Sequence, residues 1–179
     1  MMEQPIFCSA HQAVQVAYSM ESRAPDLGSS WRLLQRLRGS KTMRPDAPQW
    51  GDLSPMERRA ECANIRATVE HVLIDAELDV ILAKFSRDHN QLAAIMRLRE
   101  HVAPMIAGKA AKAVGNILVW IYYDRRHRPS LRAIGRHYGI SDGTVRSGLE
   151  EVGDIVTALE DSAMSKLTEL FVRCGIAET

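Results

Sequence analysis

The sequence predicts an all-α protein: several helices, then a helix-turn-helix toward the C-terminus, then one long helix. Three observations carry that expectation. Ala, Leu, Arg, Glu and Met are plentiful, while strand-forming residues are sparse and long apolar–polar alternation is absent. Apolar residues instead recur at spacings of three and four, the period of a helix with one buried face. Finally, residues 130–152, SLRAIGRHYGISDGTVRSGLEEV, hold two short helical patterns with a glycine and a serine between them. The chain has 179 residues, 46% apolar and 25% charged, enough for one compact domain or two small ones.

Residues 1–50 read as an N-terminal helical segment and linker. A helix is expected over 9–20, with Ala13, Val16 and Ala17 on one side, followed by a loop around 24–28. Ser30 is positioned to cap a short helix over 31–38. Its apolar face is Trp31, Leu34 and Leu37, and its basic face is Arg32, Arg36 and Arg38. That face is either a solvated surface or an auxiliary phosphate contact. Residues 39–50 are rich in Pro and polar side chains and read as linker.

Residues 51–106 read as a helical region. Ser54 as cap, Pro55 at the first helical position and Glu57 three residues after the cap predict a strong helix start. This helix is expected to reach Leu73, with Ala60, Ala63, Ile65, Val69 and Val72 inward. A second, capped by Asp75, turns Leu78, Ile81, Leu82 and Phe85 to one face. A third, over 88–102 with Leu92, Ile95, Met96 and Leu98 inward, is ended by Pro104. Residues 73–82 and 115–121 both look like an apolar entry helix, so this region is a candidate degenerate copy of the next.

Residues 107–179 hold the helix-turn-helix. A long apolar helix is expected over 107–123, with Gly115 allowing close packing and Trp120 and Tyr123 as core. Ser130 then caps a helix with Leu131, Ile134 and Tyr138 on one face. Gly139 supplies the sharp turn, Ile140 fills the corner, and Gly135 allows the second helix to pass close. Ser141 caps that second helix, which continues to about Cys174. Its stripe of Val145, Leu149, Val152, Val156, Leu159, Ala163, Leu167 and Leu170 packs either within the chain or on a second copy.

Charge singles out this motif. Residues 125–149 contain six arginines and one acid, a net +5 with His neutral. The remainder therefore carries −4, leaving +1 for the whole chain. Such concentration is the footprint expected of a protein that binds phosphates. In a groove-reading helix-turn-helix the N-terminal end of the second helix meets the bases. The candidate DNA-binding residues are therefore Ser141, Asp142, Gly143, Thr144, Arg146 and Ser147, with Arg146 the candidate for a bidentate guanine contact. Arg125, Arg126, Arg128, Arg132 and Arg136 are the candidates for positioning the backbone.

The run GISDGTVRSGL at 139–149 resembles the recognition-helix segment of the sigma-factor domain that reads the promoter −35 element. That family often reads G-I-S-x-G-T-V-K-S-R-L here, and residues 117–138 resemble its preceding helices. Gly148 departs from the pattern, standing where a basic residue is common, so one expected phosphate or base contact is missing. Response regulators and phage regulators share the motif. Residues 134–159 also resemble the late-gene antiterminators of lambdoid phages, the Q type. Some of these place a basic helix-turn-helix with Ser-Asp at its turn before a long C-terminal helix. The resemblance implies a transcription regulator with double-stranded DNA and RNA polymerase as partners.

Other classes find less support. There is no C-x-x-C, no H-E-x-x-H, no Walker loop and no dinucleotide glycine pattern, so neither a metal nor a nucleotide cofactor is expected. Cys8, Cys62 and Cys174 form no disulfide framework. No apolar run is long enough for a bilayer and no signal-peptide pattern opens the chain, so no membrane partner and a cytoplasmic location are expected. A recombinase or nuclease needs clustered carboxylates or a nucleophile beside the basic surface. Neither is visible, so the chain is read as a non-enzyme. A homodimer fits the paired half-sites that many such proteins bind. The acidic residues Glu150, Glu151, Asp154, Glu160 and Asp161 are either a solvated face or a docking surface for a basic partner such as polymerase. The alternative function is a DNA-binding adaptor in phage DNA packaging or replication.

Overall fold

A computed structural model describes residues 5–21, 48–124 and 126–178. The expected helix over 31–38 with its cap Ser30, the loop around 24–28 and Arg125 lie outside the described residues. The described residues form seven α-helices: α1 Ala10–Glu21, α2 Pro55–Val72, α3 Asp75–Phe85, α4 Asp88–Val102, α5 Val114–Tyr122, α6 Leu131–Tyr138 and α7 Asp142–Arg173. Two 3-10 helices, Ala103–Met105 and Gly108–Ala113, join α4 to α5. No strand occurs among the described residues, and none of their helices is long and apolar enough to cross a membrane.

Contacts divide the chain into two compact units. One joins Met1–Thr68 to Leu167–Thr179, and the other is Val69–Lys166. The boundaries at 50/51 and 106/107 follow composition. The contacts place both chain ends in one unit, with the divisions falling inside α2 and α7.

In the unit built from the chain ends, Phe7 is the keystone. Its backbone forms a parallel bridge to Ala177, and its buried ring meets Trp50 edge-on at 5.4 Å. Ser9 Oγ accepts from the Gln12 N–H at 3.2 Å, and Gln12 Oε1 accepts from the Cys8 N–H at 2.8 Å. That reciprocal pair starts α1, which buries Ala10, Ala13, Val14, Ala17 and Tyr18. Val14 therefore takes the inward place expected for Val16, which is half-buried. The capping box at α2 forms as expected: the Ser54 N–H donates to Glu57 Oε2 at 2.7 Å, and Ser54 Oγ accepts from the Glu57 N–H at 3.3 Å. Farther along α2 the inward residues are Cys62, Ile65 and Val69, while Ala60 and Ala63 are exposed and Val72 is half-buried. The face is rotated toward Cys62, and burial pushes that thiol's pKa up.

The Val69–Lys166 unit packs α3 on α4 and α4 on α5 around Val80, Ile95, Leu98, Val102, Ile117, Leu118, Ile134, Val145 and Val152. Several expectations need correction. The expected cap Asp75 is instead the first helical residue, and Ile74 holds the N-cap position with no side-chain cap bond. Along α3 the buried set is Glu77, Asp79, Val80, Ile81 and Ala83, while Leu78, Leu82 and Phe85 are only half-buried. Two carboxylates go inward because cations reach them. Lys166 Nζ donates to both Glu77 oxygens at 2.6 and 2.8 Å and the Ser162 hydroxyl adds a bond of 2.8 Å, while Arg97 Nε donates to Asp79 at 2.8 Å. In α4, Leu92 and Met96 are exposed and Ala94, Ile95, Leu98 and Val102 are buried.

The single helix expected over 107–123 is broken. Gly108 has φ 68°, a conformation outside the right-handed helix, and a 3-10 helix precedes α5. Pro104 lies within the first 3-10 turn. The duplication finds no second turn: α3 is followed after two residues by the 15-residue α4. The stripe on α7 is core, since Val145, Val152, Val156, Ala163 and Leu167 are all buried in the chain.

Candidate nucleic-acid interface

Local chemistry shapes α6, the turn and the start of α7. Ser130 Oγ accepts from the Ala133 N–H at 3.1 Å and begins α6. At its far end Gly139 adopts φ 65°, ψ 37°, left-handed backbone that costs a residue with a Cβ extra energy. This turns the chain so that the Ile140 N–H reaches Gly135 O at 2.9 Å. A Cβ on Gly135 would stand 2.8 Å from the Ile140 carbonyl oxygen and 3.7 Å from Val145 Cγ2. The missing side chain admits the turn itself, more than the body of the second helix. Ser141 Oγ accepts from the Thr144 N–H at 3.1 Å and lies 2.9 Å from Thr144 Oγ1. The turn is three residues long, and α7 begins at Asp142. Behind it, Ile134, Val145 and Val152 are buried, with Leu131, Tyr138, Ile140 and Leu149 packed against the same core.

The side chains left outward are mostly the expected ones. Arg132 and Arg136 are exposed one turn apart on α6. On α7, Asp142, Gly143, Arg146 and Ser147 are exposed. Arg126 is exposed in the loop between α5 and α6, beside exposed His127. Ser141 and Thr144 serve a different purpose from the others: their hydroxyls hold the first turn of α7.

Arg128 also has a structural task. It is half-buried, its Nε donates to Tyr123 O at 2.7 Å, and its guanidinium carbon lies 4.8 Å from the centre of the Trp120 ring. The guanidinium closes the end of α5 and covers a half-buried indole. Trp120 and Tyr123, expected as plain core, are the partners of this arginine and only half-buried.

Gly148 is explained by packing. It is buried, and a Cβ there would stand 2.9 Å from Ala110 Cβ and 3.3 Å from Ile117 Cδ1. The position where the sigma-factor pattern often has a basic residue faces the interior of this fold. No contact to solvent is lost by the glycine.

Past its second turn the exposed side chains of α7 are mainly acidic: Glu150, Asp154, Asp161 and Glu169, against Lys166 and Arg173. Glu160 does not belong with these acids: it is half-buried, pairs with Lys84, and accepts from the Tyr122 hydroxyl at 3.2 Å. Burial and this neighbouring carboxylate push the Tyr122 phenol pKa up. The acidic face is thus shorter than the sequence implied, and Glu151 is half-buried within it.

Two cations escaped the sequence reading. Lys109 and Lys112, on the 3-10 helix Gly108–Ala113, are exposed on an element that packs against α6. Their signal was the three-residue spacing in GKAAKA, hidden by the expectation of a continuous α-helix. Among the described residues no group of three or more His, Cys, Asp or Glu is placed to hold a metal ion.

Comparison of the chain with protein-family models finds no match, and comparison with curated proteins finds none either.

Proposed function

We propose that this chain is a sequence-specific double-stranded DNA-binding regulator of transcription that works in the cytoplasm, a binding protein rather than an enzyme. The observation that carries the reading is the distribution of exposed charge: Arg132, Arg136 and Arg146 lie on α6 and the first turns of α7, and the later turns of α7 are mainly acidic. Its first two turns offer Asp142, Gly143, Arg146 and Ser147 outward, one acid against one base. Past them the exposed acids Glu150, Asp154, Asp161 and Glu169 outnumber the exposed bases Lys166 and Arg173. A helix laid along a major groove would hold its acidic part against phosphates. One that enters by its N-terminal end keeps the acids from Glu150 onward away from the duplex. Arg132 and Arg136 on α6, with Arg126 in the loop, supply the positive flank that such an approach needs.

In this reading Arg146 makes the bidentate guanine contact, Asp142, Gly143 and Ser147 lie near the base edges, and Thr144 meets a thymine methyl or a phosphate. Arg126, Arg132 and Arg136 grip the backbone, and Arg128 shapes the loop that presents Arg126. The likeness of the motif to Q-type antiterminators adds RNA polymerase as a second partner. The exposed acids Glu150, Asp154 and Asp161 are the docking surface this partner would use.

Selection of bound sequences from a random duplex pool at moderate salt tests the proposal. A single enriched motif, lost in Arg146→Ala, is the expected result. Binding without enrichment that fades as salt rises overturns specific recognition. With a ring-shaped oligomer in solution, it instead favours an adaptor for DNA packaging or replication. Terminator read-through by purified polymerase on a template bearing the selected site then separates antitermination from simple repression or activation.

A further inference from the structure

The 3-10 helix Gly108–Ala113 reads GKAAKA, and its geometry sorts those residues into three edges. With three residues per turn, positions i and i+3 eclipse one another. Ala110 and Ala113 share one edge, and both are buried. Lys109 and Lys112 share another, and both are exposed. The inner edge sits against α7, since Ala110 Cβ is the atom that a Cβ on Gly148 would meet. The same element packs on α6. The element that carries the lysines therefore packs on both helices that carry Arg132, Arg136 and Arg146.

A third exposed cation lies against the start of α5, the helix that follows this element. Arg99 is exposed on α4, and its aliphatic stem crosses the start of α5 at Gly115, where a Cβ would stand 3.2 Å from Arg99 Cδ. No Asp or Glu occurs between Glu100 and Asp124, so the segment offers the lysines no local counter-charge. Neither lysine nor Arg99 forms a salt bridge with another described residue. By contrast, Lys84, Arg97 and Lys166 in the same unit are all paired with carboxylates.

We propose that Lys109, Lys112 and Arg99 form a second phosphate-binding edge, which grips the backbone of the duplex beside the bases that α7 reads. This rests on the DNA-binding reading and extends its footprint to a part of the chain that precedes the helix-turn-helix. The edge presents only cations, so it recognises nucleic-acid backbone and not sequence. Each phosphate neutralised releases counterions and steepens the fall of affinity with salt by about 0.9 in the log–log slope.

The test is the salt dependence of Kd for the full chain, on a selected duplex and on a random duplex of equal length. Lys109→Ala/Lys112→Ala is expected to lower the slope by about 2 and to weaken both duplexes alike. Lys109→Arg/Lys112→Arg is expected to keep the wild-type slope. Lys109→Gln/Lys112→Gln repeats the neutral case with longer side chains, and an unchanged Tm shows that either neutral variant is folded. An unchanged slope in the neutral variants, with wild-type protein still choosing its sequence, overturns this edge and leaves the DNA-binding reading intact. A loss confined to the selected duplex also overturns it, because that is base recognition. Wild-type protein that binds neither duplex overturns both.

Discussion

Gly148 of α7 approaches Ala110 of the second 3-10 helix so closely that a Cβ on the glycine would stand 2.9 Å from the alanine's own. This contact ties the helix carrying Arg146 to the element carrying Lys109 and Lys112. The glycine's position is therefore interior. The spacing on α7 agrees: Gly148 follows buried Val145 by three residues and precedes buried Val152 by four, one inward stripe.

Gly148→Val is expected to destabilise the protein by about 1–3 kcal/mol, the usual range for overfilling a packed contact. Ala110 Cβ is a short branch on backbone and cannot swing aside. Gly153, on the same helix, has nothing within 4 Å of where its Cβ would be. Gly153→Ala should therefore stabilise by about 0.5–1 kcal/mol through helix propensity. Urea unfolding of the two variants reads both signs, and equal effects would contradict the packing account.

At the turn, Gly139→Ala is expected to cost about 1–2 kcal/mol, since a Cβ must then occupy left-handed backbone at φ 65°. Asn tolerates that region better than Ala, so Gly139→Asn should lose less. Thermal unfolding of the pair checks the order. A smaller loss for Ala than for Asn would mean that the turn rearranges in the variant.

Arg146 and Arg126 should separate in their effects on DNA. Arg146→Ala is expected to cost about 1–3 kcal/mol on the selected sequence and to relax choice at one base pair. Arg126→Ala should weaken selected and random duplexes alike. Titrations of both variants on both duplexes decide the matter, and equal losses everywhere would remove the distinction between reading and positioning.

Arg128→Ala should act on stability before DNA. Its guanidinium bonds to the Tyr123 and Ile121 carbonyls at 2.7 and 3.4 Å and covers Trp120. Losing these is expected to cost about 1–2 kcal/mol, with solvent reaching the indole. A red shift of tryptophan emission together with a lower urea midpoint is the expected outcome. Unchanged values for both would overturn this structural task.

Two buried carboxylates pull the acid stability in opposite directions. Burial pushes Glu77 up, but the Lys166 ammonium, the Ser162 hydroxyl and the Ile74 backbone outweigh it, so its pKa is lowered. A lowered carboxylate stabilises the fold above its unfolded pKa, and this is lost as pH falls through the folded value. Asp79 is raised, because burial outweighs the Arg97 guanidinium and His101, and the Asp75 charge adds to the rise. Its ionised form therefore subtracts stability above the folded value, a penalty relieved as pH drops below the unfolded one. Between about pH 5 and 3, Glu77→Gln should flatten the loss of stability and Asp79→Asn should steepen it. Urea midpoints across that range give both slopes, and a reversed order would contradict the assignment.

Much of this chain can be read from its residues. The capping box at Ser54 and Glu57, the cap at Ser130, the left-handed turn at Gly139 and the cap at Ser141 all depend on atoms within a few positions of one another. Local chemistry of that kind is written in the order of residues. The helical class, the bounds of α4 and the long run of α7 follow from it. The outward arginines were also legible, because a periodic apolar face leaves the rest for solvent.

Tertiary structure decided what periodicity leaves open, namely which of two neighbouring faces goes inward and who meets whom. Glu77 and Asp79 are buried because Lys166, 89 residues away in sequence, and Arg97, 18 away, reach them. Glu160 leaves the acidic face because Tyr122 and Lys84 hold it. Gly148 is interior because Ala110 and Ile117 fill the space beside it. The lysine edge at 109 and 112 exists because Gly108 turns the chain into a 3-10 helix, whose three-residue period brings them together. Each of these depends on partners distant in sequence or on a change of helical period. A pattern that measures only repeat spacing along one segment registers neither.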